Sequence, residues 1–124
     1  MSKIKEMVSY IIVNTDLNMG KGKIASQAAH AILDVHRFLI SNNIDHSKWL
    51  NNGEKIVVLK GSKTIINQLL EEYSDKIPRI NTFNVFPIHD AGRTEVEPGS
   101  LTVIASCPVT IDKIPGIIKT LKLL

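Results

Sequence analysis

MVSYIIVNTDLNMGKGKIASQAAHA, Met7 to Ala31, joins two different periodicities in one short stretch. Met7–Asn14 is mostly apolar and β-branched and is ended by Thr15-Asp16, which predicts a buried strand. From Lys21 or Gly22 to about Ile40, apolar residues recur at steps of four and three: Ile24, Ala28, Ala31, Val35 and Phe38. That spacing predicts an amphipathic helix with one core-facing stripe. A buried strand feeding such a helix is the repeating unit of layered α/β folds.

The glycines and lysines between the two elements raise the question of a phosphate cradle. A P-loop requires G-x-x-x-x-G-K-[ST], whose hydroxyl holds magnesium. Gly20 and Gly22 are too close together for that pattern, and Lys23 is followed by Ile24. A dinucleotide fingerprint, G-x-G-x-x-G, would place Ala25 at its third glycine, which is tolerable. The acidic residue expected after the second strand is missing, because KIVVLK runs into Gly61-Ser62. Nucleotide binding is disfavoured.

Outward from this unit, strands and helices continue to alternate. Asn42–Asn52 is polar, with a helical turn expected around Ser47–Leu50 and Gly53 as its end. Lys55–Lys60 predicts a second strand. Ser62 suits an N-cap for a helix through Tyr73, with Ile65, Ile66, Leu69 and Leu70 inward and Pro78 closing the connection. Thr82–Ile88 predicts a third strand, exposed or irregular at Pro87. His89–Ser100 reads as a loop and Leu101–Cys107 as a fourth strand. A last helix is expected within Ile111–Leu124, capped by Asp112 with Pro115 in its first turn. The two final strands lack a helix between them, so an antiparallel pair is expected in a mostly parallel sheet covered on both faces.

A length of 124 residues with 44% hydrophobic and 22% charged residues suits one soluble domain over 1–124. The apolar runs are too short to span a bilayer, and the N-terminus lacks a cleavage pattern, so a cytoplasmic protein without a membrane partner is expected. No anchor or further domain is expected before the first strand. The single cysteine, Cys107, lies in LTVIASC and reads as a buried, inert thiol. A net charge of +3 permits a nucleic-acid partner without arguing for one.

Chemistry concentrates in two places. Lys23, Gln27, His30 and Asp34 form a second helix stripe, about a quarter turn from the apolar one. A solvated polar flank is the ordinary reading of such a stripe. This one, however, starts at the C-terminal end of the first strand, where open α/β sheets bind ligands. The loop HDAGRTEVEPGS follows the C-terminal end of another strand and carries Asp90, Arg93 and Thr94, with Gly92 allowing a tight turn. Together these residues suit hydrolysis. His30 reads as a hydrogen-bonded structural histidine, and His36, His46 and His89 have no evident partners in sequence.

TDLNMGKGKIASQAAHA matches the pattern T-D-L-x-M-x-K-G-K-x-x-x-Q-x-x-H-A, and with WLNNGEKIVVLK, DAGRT, EPGS and the closing LKLL it resembles the type-2 peptidyl-tRNA hydrolases over nearly the full length. PVTIDKIPGIIKT, with Pro115, fits that family poorly. The resemblance implies a three-layer α/β/α sandwich on a four-stranded mixed sheet, order 2-1-4-3, with strand 4 antiparallel. It further implies hydrolysis of the ester joining a peptide to the 3′ ribose of tRNA, without metal or cofactor. A homodimer is compatible with the sequence. No Ser-His-Asp order or reactive cysteine suggests a covalent route. Asp90 is expected to orient or deprotonate water and Lys23 to stabilise the oxyanion, with Gln27 and Thr94 hydrogen-bonding the water or ester. Arg93 would hold Asp90 or a phosphate, and Lys21 and Lys23 would contact tRNA phosphates. The competing reading is a non-catalytic RNA- or protein-binding module on the same fold.

Overall fold

The computed structural model of the chain describes residues 6–74, 81–90, 97 and 99–124. β1 (Met7–Asn14) leads through a 3-10 turn, Thr15–Leu17, into α1 (Lys21–Ser41). α2 (Ser47–Asn51), β2 (Ile56–Gly61) and α3 (Lys63–Tyr73) follow, then β3 (Val85–His89) and β4 (Leu101–Ser106). The chain closes with β5 (Val109–Thr110), a second 3-10 turn at Ile111–Lys113, and α4 (Gly116–Thr120).

The sheet order is β2-β1-β4-β3, with β1 and β2 parallel and β4 antiparallel to both neighbours, as expected. β3 therefore runs in the direction of β1. The C-terminal ends of β1, β2 and β3 and the start of β4 share one edge of the sheet.

Alternation along the strands sorts side chains into two layers. Tyr10 and Ile12 of β1 and Ile104 of β4 pack with Ile66 and Leu69 of α3 and Ile118 of α4. On the opposite face, Ile11, Val13, Val103 and Ala105 pack with Ala31, Val35 and Leu39 of α1. Fully burying each such aliphatic side chain stabilises the fold by about 1.5–3 kcal/mol. Pro87 sits on the edge strand β3, where a missing N–H costs no ladder bond. Ser62 caps α3 as expected, its Oγ accepting from Ile65 N at 3.2 Å.

Several expectations need correction. The third strand begins at Val85 rather than Thr82, and the fourth ends at Ser106. A fifth strand joins the four: Val109 and Thr110 pair with Val8 and Met7. Asn81 stabilises that pairing, its Oδ1 accepting from Thr110 N at 2.8 Å. The expected closing helix is replaced by the 3-10 turn and the five-residue α4, for which Pro115, not Asp112, is the N-cap, with φ −62°. Proline's fixed φ and absent N–H suit a cap position as well as a first turn. After α4 the chain extends along the outer edge of β2. Lys60 N donates to Lys122 O at 2.8 Å and Leu124 N to Val58 O at 3.1 Å, so the tail satisfies an otherwise open sheet edge. Pro78 lies outside the described residues.

The inward stripe of α1 also differs in detail. Gln27, Ala31, Val35 and Leu39 are its buried residues, whereas Ile24, Ala28 and Phe38 are half-buried and pack against that core. The helix is turned so that a polar residue points inward, which is tolerable only because that residue finds a partner there.

Candidate active site

The shared sheet edge is held together by the residues that follow β1. Asn14 Oδ1 accepts from Asp16 N at 3.1 Å, and its Nδ2 donates to Leu101 O at 2.9 Å, joining the ends of β1 and β4. Thr15 Oγ1 donates to Gly61 O at 3.2 Å. Asp16 Oδ2 accepts from Lys63 N at 2.9 Å, placing negative charge at the N-terminus of α3. The Thr-Asp pair is thus scaffolding, which locks the β1–α1 connection onto the β2–α3 connection. Gly61 is required at that junction, since a Cβ there would lie 2.5 Å from Cγ2 of the fully buried Ile12.

Asn18 turns the chain with φ 50°, and Gly20 caps α1, so the helix begins above this edge. Lys23, in the first turn, forms an ion pair through its Nζ with Oδ1 of Asp90, which directly follows β3. The pair is sheltered, with side-chain exposures of 9% for Lys23 and 1% for Asp90. Lys23 is therefore the member that reaches the surface. Residues 67 positions apart meet here because α1 crosses β4 towards β3, and Asp90 continues the face of Phe86 and Ile88 that looks at α1.

One turn further along α1, Gln27 Nε2 donates to Thr102 Oγ1 at 2.7 Å. The Thr102 hydroxyl in turn donates to Ile88 O at 3.1 Å. A β-bulge creates this arrangement. Ile88 pairs with Val103 but His89 pairs with Leu101, leaving Thr102 as the extra residue. Leu101 consequently packs on the α3 side and Val103 on the α1 side, although two residues apart they would ordinarily share a face. The broken alternation releases Thr102 to meet Gln27. Above the bulge, Asp90 N donates to Ser100 O at 2.8 Å and Gly99 N to Asp90 O at 2.9 Å, closing the base of the loop.

Of the residues proposed from sequence, Lys23, Gln27 and Asp90 are brought together. Lys21 is exposed on the other flank of the α1 N-terminus, beside an apolar groove of about 480 Å³ lined also by Ile24, Ala28, Val58 and Leu123. Arg93 and Thr94 lie outside the described residues. Asn14 and Thr102 are additions that sequence reading missed. The available signals were a polar residue ending an apolar strand and a threonine inside LTVIAS.

The histidines also depart from expectation. His30 is exposed rather than locked into the structure, and it borders a groove beside Gln27. His36 and His46 are partners, with Nδ1 and Nε2 3.1 Å apart. Cys107 is buried as expected, and burial pushes its thiol up to about 12. Among the described residues, no helix is long and apolar enough to cross a membrane.

Residues 7–124 match the family profile described as peptidyl-tRNA hydrolase PTH2. The chain is 42% identical over 117 residues to a peptidyl-tRNA hydrolase of Methanococcus vannielii, covering 92% of this chain and 96% of that protein. A Methanococcus maripaludis peptidyl-tRNA hydrolase is 44% identical, with the same coverage. A third, from Methanocaldococcus jannaschii, is 36% identical over 123 residues, covering 95% of this chain and 100% of its own length. The ion pair and bulge described above lie within the matched span, and the chain belongs to the peptidyl-tRNA hydrolase PTH2 family.

Proposed function

We infer that this chain hydrolyses the ester between a peptide and the 3′ end of tRNA, through a single domain over 1–124 acting in the cytosol. The observation that carries the reading is the sheltered Lys23–Asp90 pair at the ligand-binding edge of the sheet, with Gln27 one turn away. Ester hydrolysis develops negative charge on the carbonyl oxygen. A fixed ammonium in a site partly closed to water stabilises that charge without reorganising during the reaction.

Asp90, almost wholly buried, holds Lys23 in place, and in this scheme it is the group that orients or deprotonates the attacking water. Gln27, oriented by Thr102, offers its amide oxygen to the water or to the ribose. Arg93 and Thr94 complete the site from the loop, Arg93 against Asp90 or a phosphate and Thr94 against the water or ester. Lys21, Lys23 and Arg93 contact the tRNA backbone, so apparent affinity should fall steeply as salt rises.

The test is release of free tRNA from an N-blocked aminoacyl-tRNA in excess over protein. Repeated turnover supports the hydrolase. Stoichiometric binding with the ester left intact would favour a tRNA-binding module instead.

A further inference from the structure

The stripe that begins with Lys23 and Gln27 continues through His30 and Asp34, and the hydrolytic scheme leaves that second half unused. His30 and Asp34 overhang the outer edge of β3, and with Gln27, Pro87, Ile88 and His89 they line a groove of about 300 Å³. Gln27 belongs to both the groove and the candidate active site. Ile88, on the floor, carries the carbonyl that anchors Thr102, and His89 directly precedes Asp90. The groove therefore opens next to the candidate active site formed by Lys23, Gln27 and Asp90.

We propose that this groove is the subsite for the terminal nucleoside of the tRNA, a ribose bearing a neutral base; the proposal rests on the hydrolase reading above. Its chemistry separates the two sides of the ester. His30 presents a flat imidazole on which a base can stack, and Asp34 presents a carboxylate able to accept from an exocyclic amine or a ribose hydroxyl. That carboxylate repels phosphate, so the groove suits the nucleoside and not the backbone. Arg37 approaches Asp34 at 3.2 Å, but both side chains are largely exposed and the pair is readily shared with a ligand.

The other groove at the α1 N-terminus has Lys21 at its border and is otherwise lined by apolar residues, among them Ile24, Ala28, Val58, Leu123 and Leu124. Those apolar walls suit peptide side chains of varied sequence. Every tRNA ends in the same nucleoside, so fixed polar groups are useful on that side of the ester alone.

The probe is the trinucleotide CCA, titrated into isotope-labelled full-length protein and followed by NMR, with N-acetyl-leucinamide as the comparison ligand. CCA should shift the signals of His30, Asp34 and His89, and N-acetyl-leucinamide those of Ile24, Ala28 and Leu123. His30→Ala should weaken CCA binding roughly fivefold or more, the scale of one lost base stack. In hydrolysis assays the loss should fall mainly on KM, with His30→Phe restoring most of it. Shifts from CCA confined to Ile24, Ala28 and Leu123, or equal CCA affinity in wild type and His30→Ala, would overturn the assignment. Failure of the wild-type protein to hydrolyse N-blocked aminoacyl-tRNA would count against the hydrolase reading, a result distinct from either CCA outcome.

Discussion

Replacing Lys23 with Met keeps the aliphatic stem and removes the ammonium, leaving the Asp90 carboxylate, 1% exposed, without that counter-charge. Removing one partner from a buried ion pair costs up to about 3–5 kcal/mol, the upper end applying where no other group compensates the remaining charge. A domain of this size has about 5–15 kcal/mol of stability in total, so the loss is large enough to measure accurately. Asp90→Asn should cost a similar amount by stranding the ammonium, although Lys23, at 9% exposure, can relax towards solvent and soften the effect. The backbone bonds from Asp90 to Ser100 and Gly99 survive that substitution. The double variant removes both charges together and should cost less than the sum of the singles, with a coupling of about 2 kcal/mol or more. Urea unfolding followed by fluorescence of the single, buried Trp49 provides the assay. Additive effects, each within about 1 kcal/mol of wild type as for an exposed pair, would refute the reasoning.

Three further outcomes are expected. Thr102→Val removes the hydroxyl that links Gln27 to Ile88 O and leaves the Gln27 amide buried, at a cost of about 1–3 kcal/mol, together with a loss of turnover. Thr102→Ser should restore both, and equal behaviour of Val and Ser would contradict the role given to the hydroxyl. Gly61→Ala should lower stability by about 1–3 kcal/mol through collision with Ile12, measured as a drop in Tm, and an unchanged Tm would mean the strand end is looser than described. Burial holds the Cys107 thiol neutral up to about 12, whereas in the unfolded chain it ionises near its ordinary value of 9.0. The unfolded state thus binds fewer protons in that interval, and stability should fall as pH rises between the two values. Cys107→Ala should flatten this alkaline decline in urea midpoints; an identical decline in the variant would show that other groups cause it.

How much could be read beforehand depended on how many residues carried each signal. β1 and α1 span 8 and 21 residues, enough for period and burial to agree, and Ser62 marked the start of α3 through a single local bond. The bulge at Thr102 left no such trace. A one-residue slip changes which face a side chain occupies, but LTVIAS reads as a continuous apolar strand in either register. Gln27, assigned to the polar flank by its sequence pattern, turns inward for a related reason. It lies four residues before Ala31, so the wheel allows it on the core stripe or the polar flank, and only the waiting Thr102 hydroxyl decides. β5 has two residues, too few to show a period, and depends on the distant Asn81. Pro115 is expected in a first turn behind Asp112 but is itself the cap, and the tail that pairs with β2 after the short α4 makes a contact between distant parts of the chain. Arg93 and Thr94 fall outside the described residues, so that half of the site rests on sequence alone.

The most direct test is the rate of ester cleavage in N-blocked aminoacyl-tRNA at saturating substrate, comparing wild type with Lys23→Met under conditions where Trp49 fluorescence reports both as folded. Loss of a preorganised charge at the oxyanion predicts a fall in kcat of about 10²–10³-fold, with deacylated tRNA still bound. A kcat within about threefold of wild type would contradict the assignment of Lys23 to the reacting centre, since even a single such interaction contributes more than that.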